Sequence, residues 1–305
     1  MTRTGTITSP CSDERRGNMH SVYKKELRSY LCNMQGAIFA AFLLLITGIM
    51  TSLYNLKGLY PTFEISLAET GFIFLLIVPI LTMKILAEER HQRTDQLLYS
   101  LPLKVSSVVL GKYFALLTVF LIPVAVMCFY PIILSMYGEV SLISAYSAIA
   151  GFVLLGAALL AIGMFISSLT ESQVIAAVIT FGAMLAIYLM NAISSLIPST
   201  ASGSLIAFSV CCVLVGLIVW FMLKDLWIGA TVAIALEAIT LFFYFRFEEA
   251  FAGLFAKVLE KLSVFDRFYL FVDGVFDIGG VIYYLSVIVF CLFLCVQSVE
   301  KKRWS

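Results

Sequence analysis

The sequence predicts an all-α polytopic membrane protein with about eight transmembrane helices. Of its 305 residues, 61% are apolar and only 13% are charged, and the mean hydropathy is +1.01. Soluble domains hold about 45–50% apolar and about 25% charged residues, so the expected solvent is the lipid bilayer. A helix needs roughly 20 apolar residues to cross that bilayer. The stretches that approach this length are 36–54, 69–86, 107–136, 141–168, 172–196, 203–223, 226–245 and 278–298.

The N-terminal residues predict two elements before the first span. Residues 1–18 are rich in Thr, Ser, Gly and charge, which predicts a disordered tail. Residues 19–33 alternate apolar side chains with Lys24, Lys25 and Arg28. This pattern predicts a basic amphipathic helix lying on an anionic leaflet, or else a simple positive flank. Residues 19–305 are predicted to form a single transmembrane domain.

Proline and small residues predict where the spans bend and pack. Pro79 in the second span, and Pro123 and Pro131 in the third, predict kinks, which neighbouring helices or waters can accommodate. Small residues permit close helix approach, and the fourth and fifth spans are predicted to pack tightly on each other through them. These residues are Gly151, Gly156, Ala157, Ala161, Gly163, Ala176, Ala177, Gly182, Ala183 and Ala186.

The distribution of Lys and Arg predicts the orientation. These residues concentrate before the first span, between the second and third spans, and after the last span. Positive charge favours the cytoplasmic side, so both termini are predicted to be cytoplasmic. The outer segment 247–271 is also charged and predicts an amphipathic helix in the outer leaflet or over the bundle. The alternative is a half-inserted ninth span, which is disfavoured because a charge at a helix centre costs about 2.5–3.5 kcal/mol. The apolar face of this helix comprises Phe247, Phe251, Leu254, Phe255, Val258, Leu262 and Phe265.

Residues 87–114 form a long polar segment between two membrane-length apolar runs. Leu97, Leu98 and Leu101 give a short helix one apolar face, and Pro102 ends that helix because it lacks the N–H and clashes with the preceding turn. Such a helix, held just outside a membrane, packs against either lipid headgroups or another protein.

Two blocks of the sequence resemble the ABC-2 type exporter permeases, and most closely the gliding-motility and nitrous-oxide-accessory branch of that family. The first block resembles the family's first cytoplasmic loop, although Arg93 stands where many members carry Gly. It comprises Glu88-Glu89-Arg90, Thr94, Leu97-Leu98, Leu101-Pro102 and Leu110-Gly111-Lys112. The second block comprises Asp266-Arg267-Phe268, Phe271, Gly274-Val275, Tyr283-Tyr284-Leu285-Ser286 and the C-terminal residues 301–304.

The resemblance implies a permease subunit, not itself an enzyme, in a bacterial plasma membrane. A separate ABC ATPase subunit would bind ATP and Mg, so this chain would bind no cofactor, no metal and no nucleic acid. The chain has no GxxxxGK[ST] loop of its own for phosphate. A second permease copy, identical or not, and membrane lipid are the other implied partners. The cytoplasmic coupling loop would span 87–106, with Thr170 and Glu171 as a candidate second inner contact. The implied coupling residues are Glu88, Glu89, Arg93, Thr94, Leu97, Leu98, Leu101 and Pro102.

Glu237 is the one carboxylate that the sequence places deep inside a span, while no buried Lys, Arg or His is expected there. Such a group marks a candidate pathway or intramembrane polar site. Alternatively it is a structural side chain that hydrogen-bonds a neighbouring helix, for example through Thr231 or Thr240.

Two other classes of protein remain as alternatives. An ATP-independent channel or secondary transporter is disfavoured because the spans offer few parts for an ion relay. Glu88, Glu89 and Arg93 also fit the EExxxR pattern of CAAX-type intramembrane proteases. Those enzymes need histidines on neighbouring spans, whereas His20 and His91 both lie outside the apolar spans.

Overall fold

The computed structural model describes residues 19–32, 34–88, 105–196, 200–223, 226–246, 251 and 253–304, which contain helices and no strand. The predicted tail, 1–18, and residues 89–104 of the predicted coupling loop lie outside these ranges. The helices are α1 (Met19–Cys32), α2 (Met34–Thr51), α3 (Phe63–Thr70), α4 (Phe74–Thr82), α5 (Val105–Met127), α6 (Phe129–Ser135), α7 (Leu142–Leu169), α8 (Gln173–Tyr188), α9 (Met190–Leu196), α10 (Ala201–Leu223), α11 (Leu226–Arg246), α12 (Leu254–Leu262), α13 (Val264–Val272) and α14 (Ile278–Trp304).

Five helical stretches in the described residues are long and apolar enough to cross a membrane. They are Met34–Lys57, Phe63–Thr82, Val105–Ser135, Leu142–Leu169 and Ile278–Lys301, and they correspond to the first four predicted spans and the last. The other three predicted spans coincide with helices whose apolar stretches are shorter: Gln173–Tyr188, Ala201–Val213 and Ala233–Phe242. The all-α polytopic membrane fold is confirmed, and the number of eight spans stays a prediction.

The chain divides into two compact units, Met1–Leu185 with Arg267–Ser305 and Ala186–Asp266. In the first unit an aromatic core joins α4, α5, α7 and α13. The ring of Phe74 lies 4.7 Å from that of Phe152 and 5.7 Å from that of Phe120, and Phe152 lies 6.1 Å from Phe268 between ring centroids. These aromatic side chains are all fully or almost fully buried, so the core of this unit surrounds α7.

The glycines of α7 pack against large side chains, and the predicted packing of the fourth span on the fifth is wrong. A Cβ on Gly156 would overlap the ring of Phe120, and one on Gly151 would lie 2.7 Å from Phe271 Cβ. A Cβ on Gly163 would lie 2.6 Å from Thr82 Oγ1. The main partner of α7 is α14, followed by α4 and α5, while a Cβ on Gly182 of α8 would meet nothing. The missing side chains thus make room for Phe120, Phe271 and Thr82.

Proline interrupts the third span as predicted. The pyrrolidine ring of Pro131 clashes with the carbonyl four residues earlier, and the helix breaks at Cys128, between α5 and α6. The hydroxyl of Tyr146, on α7, donates to the Cys128 carbonyl oxygen over 3.1 Å. A neighbouring helix therefore donates to a carbonyl oxygen at the break.

The second unit is built on the pairing of α10 with α11. Phe208 of α10 packs edge-on against Phe255 of α12, with ring centroids 4.9 Å apart, and also against Phe251. The predicted fifth span, 172–196, breaks at Leu189 into α8 and α9.

In its described residues the outer segment contains two separate helices, α12 and α13, so the prediction of one continuous amphipathic helix is wrong. Residues 247–250 and 252 lie outside the described ranges. Ser263 interrupts the helix with an extended backbone (φ −64°, ψ 118°), and its hydroxyl accepts a hydrogen bond from the Asp266 N–H over 3.2 Å. A serine in this position caps the helix that follows it. Of the predicted apolar face, Phe251, Phe255 and Phe265 are buried, whereas Val258 and Leu262 are exposed.

Candidate coupling site

The residues that lead into the predicted coupling loop do not form a regular helix. We call residues 83–88, which follow α4 directly, the root segment. The Met83 N–H still donates to the Pro79 carbonyl oxygen (2.9 Å), as in an α-helix, but the Ile85 N–H donates to Thr82 over 3.3 Å. The shift from i−4 to i−3 leaves carbonyl groups without their usual helical donor.

A hydroxyl from α7 is inserted into the backbone ladder of the root segment. In a continuous helix the Ala87 N–H would donate to the Met83 carbonyl oxygen. Here the Ala87 N–H donates to Ser167 Oγ over 3.3 Å, and Ser167 Oγ donates to the Met83 carbonyl oxygen over 3.4 Å. A side chain inserted in this way is an established cause of a helix kink. The root segment is thereby attached to the end of α7.

Side chains from α1 and α5 donate hydrogen bonds to two further backbone carbonyl groups near the start of the root segment. The hydroxyl of Tyr30 donates to the Leu81 carbonyl oxygen over 3.3 Å, and Lys112 Nζ donates to the Ile85 carbonyl oxygen over 3.0 Å. With Ser167, three different helices therefore hold this break in the chain.

Lys112 is a buried cation that pairs with α1. Its side chain is 1% exposed, and its Nζ lies 3.1 Å from Glu26 Oε1, whose side chain is 13% exposed. Removing one member of a buried pair costs about 3–5 kcal/mol, because the other is left uncompensated. The expectation of no buried Lys in the spans is wrong. A lysine close to a span end resembles a loop residue in sequence, and nothing local identifies its partner 86 residues away.

The N-terminal helix is packed against α5 along its length. A Cβ on Gly111 would lie 3.0 Å from the Met19 carbonyl oxygen and 3.2 Å from Val22 Cβ, so this glycine permits the close approach. The hydroxyls of Tyr23 and Thr118 lie 3.1 Å apart. The predicted helix thus exists and packs on α5, with Lys24, Lys25 and Arg28 exposed. Its position on the anionic leaflet stays a prediction.

The candidate second contact lies at the same end of this unit as the root segment. Thr170 and Glu171 follow α7 within four residues of Ser167, which bonds the root segment. The Ser298 hydroxyl of α14 donates to the Ser168 carbonyl oxygen over 3.2 Å. Glu171 is exposed, and the Thr170 hydroxyl oxygen is buried with no hydrogen-bond partner among the described residues.

Of the predicted coupling residues, the structure describes Glu88, which is half-buried and ends the root segment. The others fall on residues outside the described ranges: Glu89, Arg93, Thr94, Leu97, Leu98, Leu101 and Pro102. The structure therefore brings together the two flanks of the predicted site, residues 83–88 and 167–171.

Glu237 lies in the second unit, between α10 and α11. Its Oε1 accepts a hydrogen bond from the Ser209 hydroxyl over 2.5 Å, while Oε2 is buried with no partner among the described residues. The side-chain donor is Ser209 of α10, and the Thr240 hydroxyl donates to the Glu237 backbone carbonyl over 2.8 Å. One carboxylate oxygen is satisfied across the helix pair and the other is not.

Sequence reasoning missed a further acid, Glu64. The second span begins at Phe63, earlier than predicted, and this start places Glu64 inside it. Glu64 is buried, and its Oε2 has no partner in the described part of the chain. The nearby Asn55 is satisfied, since its amide donates to the Tyr60 and Thr62 carbonyls and its oxygen accepts from Ser66. In the sequence, Pro61, Thr62 and Glu64 interrupt the apolar pattern, so the predicted span starts later, at residue 69.

Residues 62–206 match the family described as ABC-2 family transporter protein. The match covers the root segment and Thr170–Glu171, and it confirms the resemblance to an ABC-2 type transporter permease. Members of that family are transport membrane subunits that are not themselves catalytic. The chain is a multi-pass membrane protein, and its residues 62–206 support the assignment to an ABC-type permease subunit. The match does not single out the gliding-motility or nitrous-oxide-accessory branch, which stays a prediction. No curated protein matches the chain. Among the described residues, no three His, Cys, Asp or Glu side chains are grouped to hold a metal ion.

Proposed function

We propose that this chain is the membrane subunit of an exporter that moves its substrate across a bacterial plasma membrane with ATP hydrolysed by a separate ATPase subunit. The observation that supports this proposal most directly is the inserted Ser167 hydroxyl. It joins the root segment to the end of α7, so both flanks of the proposed docking site form one hydrogen-bonded unit. ABC-2 permeases generally work with an ATPase subunit and often form dimers.

The proposed docking element is the segment 88–102. Leu97, Leu98 and Leu101 would be its buried anchor, because a fully buried apolar side chain contributes about 1.5–3 kcal/mol whereas an exposed ion pair contributes about 0–1 kcal/mol. The charged residues Glu88, Glu89 and Arg93 would set register and orientation, with Thr94 and Pro102 at the two ends of the helix. Thr170 and Glu171 would form the second contact, and ATP with Mg would bind to the partner.

The root segment offers a route for transmitting ATPase closure to the spans. A push on residues 88–102 would reach α4 through the chain itself. It would reach α1, α5 and α7 through the bonds from Tyr30, Lys112 and Ser167. Packed helices move as discrete bodies rather than deforming continuously. Two permease copies moved in this way would alternate a cavity between inward and outward access, with the root segment and both termini on the cytoplasmic side.

The test is whether the leucine face binds an ATPase. Tagged chain is purified in mild detergent from its native host, and the eluate is assayed for ATP hydrolysis and for a co-purifying ATPase. Leu98→Asp should abolish co-purification while the membrane subunit elutes unchanged in gel filtration.

The matched control is Leu59→Asp, because Leu59 is 82% exposed and has a positive φ of 56° that Asp tolerates better than Leu. This variant should retain the ATPase. Normal stoichiometry of the ATPase with Leu98→Asp would show that the segment is not the docking element and packs on headgroups instead.

A further inference from the structure

We infer that Lys112 is a positioning residue of the proposed coupling site and that it makes α1 a moving part of that site. This inference rests on the proposed function, because it concerns how the root segment responds when the docking segment is displaced. It assigns a role to Glu26 and Lys112 that neither composition nor the family match assigns.

The ammonium group of Lys112 lies where three segments meet. It belongs to α5, donates to the Ile85 carbonyl oxygen of the root segment over 3.0 Å, and pairs with Glu26 of α1 over 3.1 Å. The side chain is 1% exposed, so water cannot replace either partner in place. A charge in such low-dielectric surroundings is held strongly to its counter-charge and acceptor.

The geometry therefore links displacements of the root segment to α1. Movement of the Ile85 carbonyl away from α5 requires either that Lys112 follows it or that this bond breaks. If Lys112 follows, Glu26 follows too, because separating the buried pair leaves an uncompensated charge. A purely structural anchor for α1 would not need this contact, since Tyr23 already bonds Thr118 of α5 and Gly111 already admits the helix closely.

The test measures distances between spin labels on the chain alone, in nanodiscs, after replacement of its seven cysteines. One label replaces Lys84 in the root segment, and a second replaces Lys25, which is exposed on α1. Each is paired with a reference label at Ile143, which is 87% exposed at the other end of α7. Pulsed electron paramagnetic resonance then reports a distance distribution for the root segment and one for α1.

We expect K112Q and E26Q each to broaden both distributions, because either change removes the ion pair at nearly constant side-chain size. The charge exchange K112E with E26K should narrow both distributions again. The matched control is Tyr23→Phe, which removes an α1–α5 contact that does not involve the root segment and should leave the Lys84–Ile143 distribution narrow.

Three results would overturn the inference. One is a root distribution that stays narrow in both K112Q and E26Q. Another is an equal broadening of the root distribution by Tyr23→Phe, which would assign the effect to general docking of α1. The third is a charge exchange that fails to narrow the distributions. This result would show that the broadening in K112Q and E26Q comes from lost packing and not from the lost ion pair. If no ATPase binds the chain, the proposed function fails, but these distances still decide whether Lys112 links the root segment to α1.

Discussion

Among the described residues, Glu26 in the first unit and Glu237 in the second are both held between helices, and their surroundings differ. In the first unit, Glu26 of α1 faces a full opposite charge on Lys112, and that ammonium also bonds a backbone carbonyl. In the second unit, Glu237 of α11 receives one neutral hydroxyl, from Ser209, and its other oxygen is buried without a partner among the described residues. The first acid is part of a completed network, whereas the second is only half satisfied.

This difference indicates different roles. A buried pair with every partner present resists separation, because breaking it exposes an unpaired charge to an apolar interior. Such a pair suits the transmission of movement between helices. A half-satisfied carboxylate inside a span can still accept a hydrogen bond from something that arrives, which suits a pathway. The fixed contacts therefore surround the root segment, whereas the acceptors without a partner among the described residues lie elsewhere, on Glu237 in the second unit and on Glu64 in the first.

The largest expected effect comes from breaking the completed network. Glu26→Ala removes the counter-charge that lies 3.1 Å from the buried Lys112 ammonium, and we expect it to lower the free energy of unfolding by about 3–5 kcal/mol, measured by denaturant titration in mixed micelles. The double variant Glu26→Met with Lys112→Met removes both charges and should lose far less, because apolar residues of similar size replace buried ion pairs with little cost. A single variant as stable as the unmodified chain would show that the pair is not isolated from solvent.

Changes at Glu237 should be smaller. Removing its acceptor with Glu237→Leu should cost about 0.6–1.7 kcal/mol, the range of interhelical hydrogen bonds in membranes. If the role is structural only, Ser209→Ala should cost the same, and the double variant should cost no more. Glu237→Gln keeps the shape and the bond to Ser209, so it should leave stability unchanged.

A separate test concerns a pathway role for Glu237. Altered ATP hydrolysis in a stable Glu237→Gln complex would indicate a pathway role, and normal hydrolysis and export in Glu237→Leu would exclude one.

The sequence could predict the helices because their signals are local. Apolar length identified the five long spans, alternation of basic and apolar residues identified α1, and Pro131 identified the break before α6. Ser263 and Asp266 also carried a local signal, since Ser followed three residues later by Asp is typical of a helix start. The apolar face on both sides of Ser263 instead predicts a single helix, which is wrong.

The contacts around the root segment could not be predicted, because they join residues far apart in sequence. Ser167 is one of several small polar residues at the end of α7. Its hydroxyl bonds the backbone of Met83 and Ala87 only because of the path that the chain takes after Thr82. Glycine periodicity predicted close packing by α7 but not its partner, since a missing side chain admits an aromatic ring as readily as another helix. The docking leucines stay a prediction.

The central claim is that an ATPase docks at the end of α7 that bears the root segment. Glu139 and Glu171 flank α7 at its two ends and are both exposed, and its 28 residues span about 42 Å at about 1.5 Å per residue. A photo-crosslinking amino acid at either position, in membranes of the native host, gives the most direct measurement. We predict a crosslink to an ABC ATPase from position 171 and none from position 139. A crosslink to the ATPase from position 139, or from neither position while the ATPase still co-purifies, would contradict the claim.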